Sequence, residues 1–266
     1  MDEYAKGNLE LWNEMTPINA RSEFYDVEGF KNGRCTLESI ELEEIGDVSG
    51  KSLLHLQCHF GMDTLSWARL GARVTGVDFS DKAITLARSL SKELGIEADF
   101  ICSDIYKLPD VLDEKFDIVF TSRGVLCWLN DLNKWAQVIS HFLKPGGTFY
   151  IVEGHPLMMV FDDSKDIREL KVTQSYFYKP EPIRWEADGA YAENGTEIIH
   201  PSYEWTHSLS DVINSLITAG LNIDFLHEFP YITYRQLPFM DEYKPGHWRI
   251  KGIDIPLTFS IKATKV

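Results

Sequence analysis

The chain has 266 residues, 44% hydrophobic and 25% charged, which suits one large α/β domain or one domain with an elaborated cap. A net charge of −15, with no Lys/Arg cluster to offset it, sets the chain against nucleic-acid phosphates as partners. No apolar run approaches the roughly 20 residues of a membrane span, the polar start MDEYAKGNLELW is no signal peptide, and Cys35, Cys58, Cys102 and Cys127 lack CxxC spacing, so they read as reduced thiols of a cytoplasmic protein without a structural metal.

Residues 1–50 read as helices and loops that precede a sheet. From Lys51 to Glu153 apolar strands alternate with amphipathic helices. SLLHL opens the series as a strand, and Met62 to Leu70 is a helix stopped by Gly71. RVTGVDFS is a second strand ending at Asp78. Ser80 then caps a helix whose apolar face is Ala83, Ile84, Ala87, Leu90 and Leu94, and Gly95 ends it. ADFICSD and FDIVFTS are the third and fourth strands. Leu132, Trp135, Ile139, Phe142 and Leu143 mark a helix ended by KPGG, and TFYIVE is the fifth strand. Such alternation implies βαβ units and a parallel sheet covered on both faces. From His155 to His207 the pattern is irregular and aromatic. A helix returns with Leu209, Val212, Ile213, Leu216 and Ile217, capped by Ser208 or Ser210. LNIDFLHEF and PLTFSIKATK then read as two strands with no helix between them, hence an antiparallel pair at one sheet edge.

The stretch LLHLQCHFG begins as a buried strand and ends on Gly61, which opens a helix. Strand, glycine loop and helix together form the nucleotide-binding arrangement of α/β proteins. Asp78 closes the next strand, where ligands of open sheets bind, and its carboxylate suits both hydroxyls of a ribose. The plainer reading of Asp78 is a helix cap. Asp104 closes the third strand, where it can accept from an adenine amine while the backbone of Ile105 meets a ring nitrogen; its plainer reading is a turn residue. Phe79 suits a purine face or the core equally.

With these residues in view, 51–153 resembles the class I S-adenosylmethionine-dependent methyltransferases. HLQCHFG aligns with that family's glycine-rich motif, VTGVDFS with its acidic-tipped second strand, CSDIYKLP with its adenine motif, FDIVFTSRGVLCWL with its fourth-strand motif and LKPGGTFYIVE with its fifth-strand entry. The resemblance implies an α/β fold: a doubly wound, seven-stranded, mostly parallel sheet with one antiparallel edge strand, Rossmann-like, plus cap insertions. It implies a methyltransferase domain over 51–266, with insertions at about 155–207 and 230–254, behind an N-terminal helical lid segment over 1–50. It further implies S-adenosylmethionine as cofactor, held by Gln57, Cys58, His59, Gly61, Asp78, Phe79, Asp104, Ile105 and Thr121, with Trp12 and Tyr25 closing the methionine end.

The chain departs from the family at three places. His55 stands where an acid is usual, and Gln57 and His59 stand where glycines are usual. With negative φ, Gln57 and His59 can hold the loop and donate side-chain hydrogen bonds to the methionine carboxylate at the helix N-terminus. Gly61 is kept, at the position of closest backbone approach.

The expected reaction is methyl transfer to a small molecule, under a cover that includes Trp128, Tyr178, Trp205 and Tyr234. Methyl transfer is mainly an alignment problem, so no fixed catalytic group is required. His155, at the end of the fifth strand, is the candidate base, with bracing of the loop before Pro156 as its plainer role. A cofactor-binding protein without catalysis and a nicotinamide dinucleotide oxidoreductase are the rivals; the latter calls for a fuller G-x-G-x-x-G.

Overall fold

The structure, a computed structural model, describes residues 1–186, 192 and 197–266. The chain begins with three helices, α1 (Glu3–Arg21), α2 (Val27–Lys31) and α3 (Ser39–Ile45). Alternation follows: β1 (Ser52–Leu56), α4 (Met62–Arg69), β2 (Arg73–Asp78), α5 (Asp81–Leu94), β3 (Asp99–Cys102), β4 (Phe116–Thr121), α6 (Leu132–Phe142) and β5 (Leu143–Gly154). Short strands β6 (Ile183–Trp185) and β7 (Ser202–Glu204) pair with each other before α7 (Leu209–Thr218) and β8 (Leu221–Phe229). A hairpin of β9 (Asp241–Lys244) and β10 (His247–Arg249) precedes the last strand, β11 (Thr258–Lys265). The insertion expected at 155–207 thus falls partly outside the described residues, at 187–191 and 193–196.

Seven strands form one sheet in the order β3-β2-β1-β4-β5-β11-β8. Chain direction across the sheet reverses its winding between β1 and β4, which creates a crevice at their carboxyl ends. The antiparallel pair expected at one edge is β8 with β11. The reversed strand, β11, hydrogen-bonds to both β5 and β8, and β8 itself forms the rim. KPGG lies within β5 rather than before it. Pairing jumps from Phe116 opposite Leu143 to Ile118 opposite Thr148, so these residues bulge out of the ladder.

Both faces of the sheet are buried, which explains its unbroken apolar strands. On one face Leu54, Val119, Phe149 and Ile151 pack on Trp135 and Ile139 of α6 and on Val212 of α7. On the other, Leu53, Phe120, Tyr150 and Val152 pack on Trp67 of α4 and Ile40 of α3. Caps lie where the sequence signals them. Ser80 Oγ accepts from Ala83 N at 3.0 Å, Gly95 ends α5 with φ of 62°, and Ser208 and Asp211 form a capping box on α7.

Gly61 is required twice over. Its φ is 80°, and a β-carbon there would lie 2.6 Å from the Phe100 ring and 3.1 Å from Ala87. Gly61→Ala is expected to lower stability by roughly 2–4 kcal/mol, from left-handed strain and overpacking together. A urea midpoint equal to that of the parent would show that the loop and Phe100 yield freely.

Candidate functional site

The loop after β1 reverses the chain in five residues. Gln57, His59 and Gly61 all lie in the left-handed region, with φ of 57°, 50° and 80°. This corrects the expectation of negative φ at Gln57 and His59. The loop thus alternates residues in the left-handed region, two of which are not glycine. The reason is steric: Cys58 must turn inward, its N–H donating to Val77 O at 2.9 Å, and Gly61 N must return to Cys58 O at 2.9 Å. Each non-glycine residue in this region costs roughly 1–2 kcal/mol. Backbone strain of this kind is concentrated at functional sites.

Asp78 holds the loop to the neighbouring strand. Its Oδ2 accepts from His59 N at 2.8 Å and its Oδ1 from Ser80 N at 2.9 Å. Only 8% of the residue is exposed. Burial pushes its carboxyl up to about 6, against the pull of the backbone N–H groups of Ser80, His59 and Phe79. Both oxygens keep a second lone pair for a ligand hydroxyl. Asp104 accepts from Tyr106 N at 3.0 Å and caps the short 3-10 turn 105–110. Phe79 is half-buried beyond the end of β2.

Helix α1 and the segment after it lie across this loop. Trp12 meets the His59 ring edge-on at 5.1 Å, and Tyr25 meets it at 5.5 Å. Trp12 also meets Trp128, at 5.3 Å. Asn13 ties α1 to the start of α5, donating to Asp81 Oδ1 at 2.7 Å and accepting from Ser80 Oγ at 2.6 Å. In the same loop, the buried atoms Gln57 Oε1 and His59 Nε2 have no hydrogen-bond partner. Burial drives the His59 ring down to about 3, so it is a neutral imidazole at physiological pH.

Other expected site residues turn their side chains into the core. The Cys58 thiol points into the core shared with Phe60, Ala87 and Phe100, and burial raises its pKa. Ile105 is buried in the core beneath α6. The Thr121 hydroxyl donates to Leu56 O at 3.1 Å and is fully buried in the sheet. His155, the expected candidate base, follows directly on β5. It is 5% exposed, its Nδ1 accepts from Leu157 N at 3.1 Å, and its Nε2 lies 2.9 Å from Glu228 Oε1 on the rim strand β8. The ring therefore faces across β11, away from the β1–β4 crevice, and braces the turn at Pro156.

Other residues carry weight that sequence patterns did not assign. Glu153, at the end of β5, accepts from Gly124 N at 2.6 Å, Val125 N at 2.7 Å, Leu126 N at 3.2 Å and Gly154 N at 2.7 Å. It pins the segment after β4. Gln57 reaches the same segment, its Nε2 donating to Val125 O at 3.1 Å. Trp205 N donates to Cys127 O at 2.8 Å, bringing the irregular region onto it from the other side. Arg123 pairs with the fully buried Glu41 at 2.6 Å, which locks α3 to the end of β4. His55 is buried, its Nδ1 2.8 Å from Thr64 Oγ1, and burial lowers it to about 4, so it stays neutral. An acid at the end of an apolar strand, as in YIVEG, is the one signal that pointed toward Glu153. Among the described residues no cluster of His, Cys, Asp or Glu could hold a metal ion, and no helix is long and apolar enough to cross a membrane.

Residues 54–151 match the family model described as "Methyltransferase domain". The chain is 28% identical over 131 residues to a ubiquinone biosynthesis O-methyltransferase of Xanthomonas euvesicatoria, covering 48% of this chain and 54% of that protein. It is 33% identical over 101 residues to the enzyme of the same name from Idiomarina loihiensis, covering 38% and 41%. The chain therefore spans about half the length of these curated relatives or less. Among solved structures, an S-adenosylmethionine-dependent methyltransferase from Mesorhizobium loti superposes with a TM-score of 0.58 at 18% identity, over 88% of this chain and 100% of that one. One from Clostridium acetobutylicum superposes with a TM-score of 0.56 at 16% identity, over 94% and 95%. The fold is that of the class I S-adenosylmethionine-dependent methyltransferases, and residues 54–151 are the stretch that matches the methyltransferase-domain model.

Proposed function

We propose that this chain, built on the class I methyltransferase fold, transfers a methyl group from S-adenosylmethionine to a small-molecule acceptor in the cytoplasm. The observation that carries this reading is the β1 loop. It holds residues at left-handed strain beside the switch point of the sheet, is tied to the buried Asp78 carboxylate at the end of β2, and carries two unpartnered buried polar atoms, one of them on a ring that Trp12 and Tyr25 cover. Burying polar atoms without partners is costly unless a ligand supplies the partner. The relatives named as O-methyltransferases of ubiquinone biosynthesis support a small organic acceptor.

S-adenosylmethionine, when bound, supplies an activated methyl group on a sulfonium. The residues of this chain bind, orient and exclude water around it. Asp78 takes the ribose hydroxyls and Asp104 the adenine amine, on the β2 and β3 side of the crevice. The segment 124–128, fixed by Glu153, borders the acceptor side, with the irregular region folded onto it through Trp205. Residues 1–50 act as the lid: Trp12 and Tyr25 close over His59 and keep water from the reacting atoms. With His155 turned toward β8, rate enhancement rests on alignment of acceptor and methyl group, which can supply several kcal/mol.

Calorimetric titration tests the reading. S-adenosylhomocysteine is expected to bind in the micromolar range, while nicotinamide dinucleotides give no heat. Absence of heat and of any thermal shift with millimolar S-adenosylhomocysteine would sink it.

A further inference from the structure

We propose that the Gln57 side chain, rather than a bare glycine backbone, recognises the ammonium group at the amino-acid end of the cofactor. This inference rests on the function proposed above and names the residue that sets selectivity for that end of the ligand.

The order of elements places the amino-acid end. Across the crevice run Asp104 after β3, Asp78 at the end of β2, the loop after β1 and the 124–128 segment after β4. A ligand with its adenine at Asp104 and its ribose at Asp78 must carry its remaining chain over the β1 loop toward β4. Gln57 spans that gap, because its Nε2 donates to Val125 O on the far side. This bond also settles the orientation of the amide. With the NH2 group engaged by a carbonyl, Oε1 is left as a pure acceptor, and it is buried without a partner. An acceptor in that state calls for a donor, and at this end of the ligand the ammonium is a strong one. A carboxylate would instead meet oxygen with oxygen.

The backbone points the same way. Gln57 sits at φ of 57°, a conformation that glycine or asparagine adopts more cheaply. Glutamine here gives the loop a polar arm long enough to reach both Val125 and a ligand. Two residues on, the ring of His59, with its unpartnered Nε2, is covered by Trp12 and Tyr25, so the ligand would be gripped between the loop and the lid.

The test compares three probes by calorimetry: S-adenosylhomocysteine, its deaminated analogue, and 5′-methylthioadenosine, which lacks the amino-acid end. Two variants, Gln57→Gly and Gln57→Asn, tolerate the left-handed backbone, so both are expected to fold. The parent protein is expected to prefer S-adenosylhomocysteine over the deaminated analogue by about tenfold or more, the range of one hydrogen bond to a charged group. In both variants this preference should shrink to about twofold, with affinity for 5′-methylthioadenosine unchanged; the parent's preference corresponds to roughly 1.4 kcal/mol per decade. If the variants keep the parent's preference, or lose affinity for 5′-methylthioadenosine in step, Gln57 does not read the ammonium. If the parent binds none of the three, it is the proposed function that fails, not this assignment alone.

Discussion

Glu153→Ala is expected to destabilise the protein by about 3–5 kcal/mol, because buried backbone N–H groups left unsatisfied each cost roughly 1–3 kcal/mol and do so less than additively. Four of them converge on this carboxylate, from Gly124, Val125, Leu126 and Gly154. Glu153→Gln keeps one acceptor oxygen and should lose about half as much. The damage should extend to ligand affinity, since Val125, which this carboxylate holds, is the partner of Gln57. Urea unfolding followed at fixed slope reads the first effect, and S-adenosylhomocysteine titration reads the second. An alanine variant with the parent's midpoint would mean that the segment is held from elsewhere, by Trp205 or by the Arg123–Glu41 pair.

Asp78→Ala should weaken S-adenosylhomocysteine binding by about 1.5–3 kcal/mol, the range for hydrogen bonds to a charged group. The variant removes the acceptor proposed for the ribose and also frees His59 N and Ser80 N, so the loop loses its tie to β2. A pH profile separates this carboxylate from other groups. Its pKa is raised from the ordinary 3.8 to about 6 by burial. Ligand hydroxyls favour the ionised form, so affinity should be level above pH 7 and fall as pH drops through 6, by about tenfold per unit below it. Stability of the unliganded protein carries the opposite sign. A carboxyl whose folded pKa lies above its unfolded one imposes a cost that develops as pH rises from about 4 to about 6 and is absent below that window. Asp78→Asn should flatten both profiles. An unaltered affinity in a folded Asp78→Ala variant would reduce Asp78 to a loop brace.

Local periodicity and capping chemistry determined most of the framework. The strands SLLHL, RVTGVD and FDIVFT, the helices opened at Ser80 and Ser208, and the stop at Gly95 all form where their residues say. Continuous apolar strands alternating with one-faced helices admit a parallel sheet covered on both sides, because only that arrangement buries both strand faces. Asp78 at the end of β2, Asp104 two residues beyond β3 and Gly61 just before α4 were legible for the same reason: their places are set by the elements they end or adjoin.

The tertiary structure alone decided which groups meet. Gln57 and His59 take positive φ because the loop must bring Cys58 under β2 and return to Gly61, a demand made by packing against Phe100 and Val77 rather than by the residues themselves. His155 follows the fifth strand as expected, yet its ring turns to Glu228, because β11 folds back between β5 and β8 and brings that carboxylate alongside. Glu153 and the Arg123–Glu41 pair join residues 28 and 82 positions apart. Pairings of that span have no period and no neighbouring signature. They are chosen when the strand ends of a finished sheet bring their loops together, and each survives because leaving such groups buried and unpaired costs more than the fold can spare.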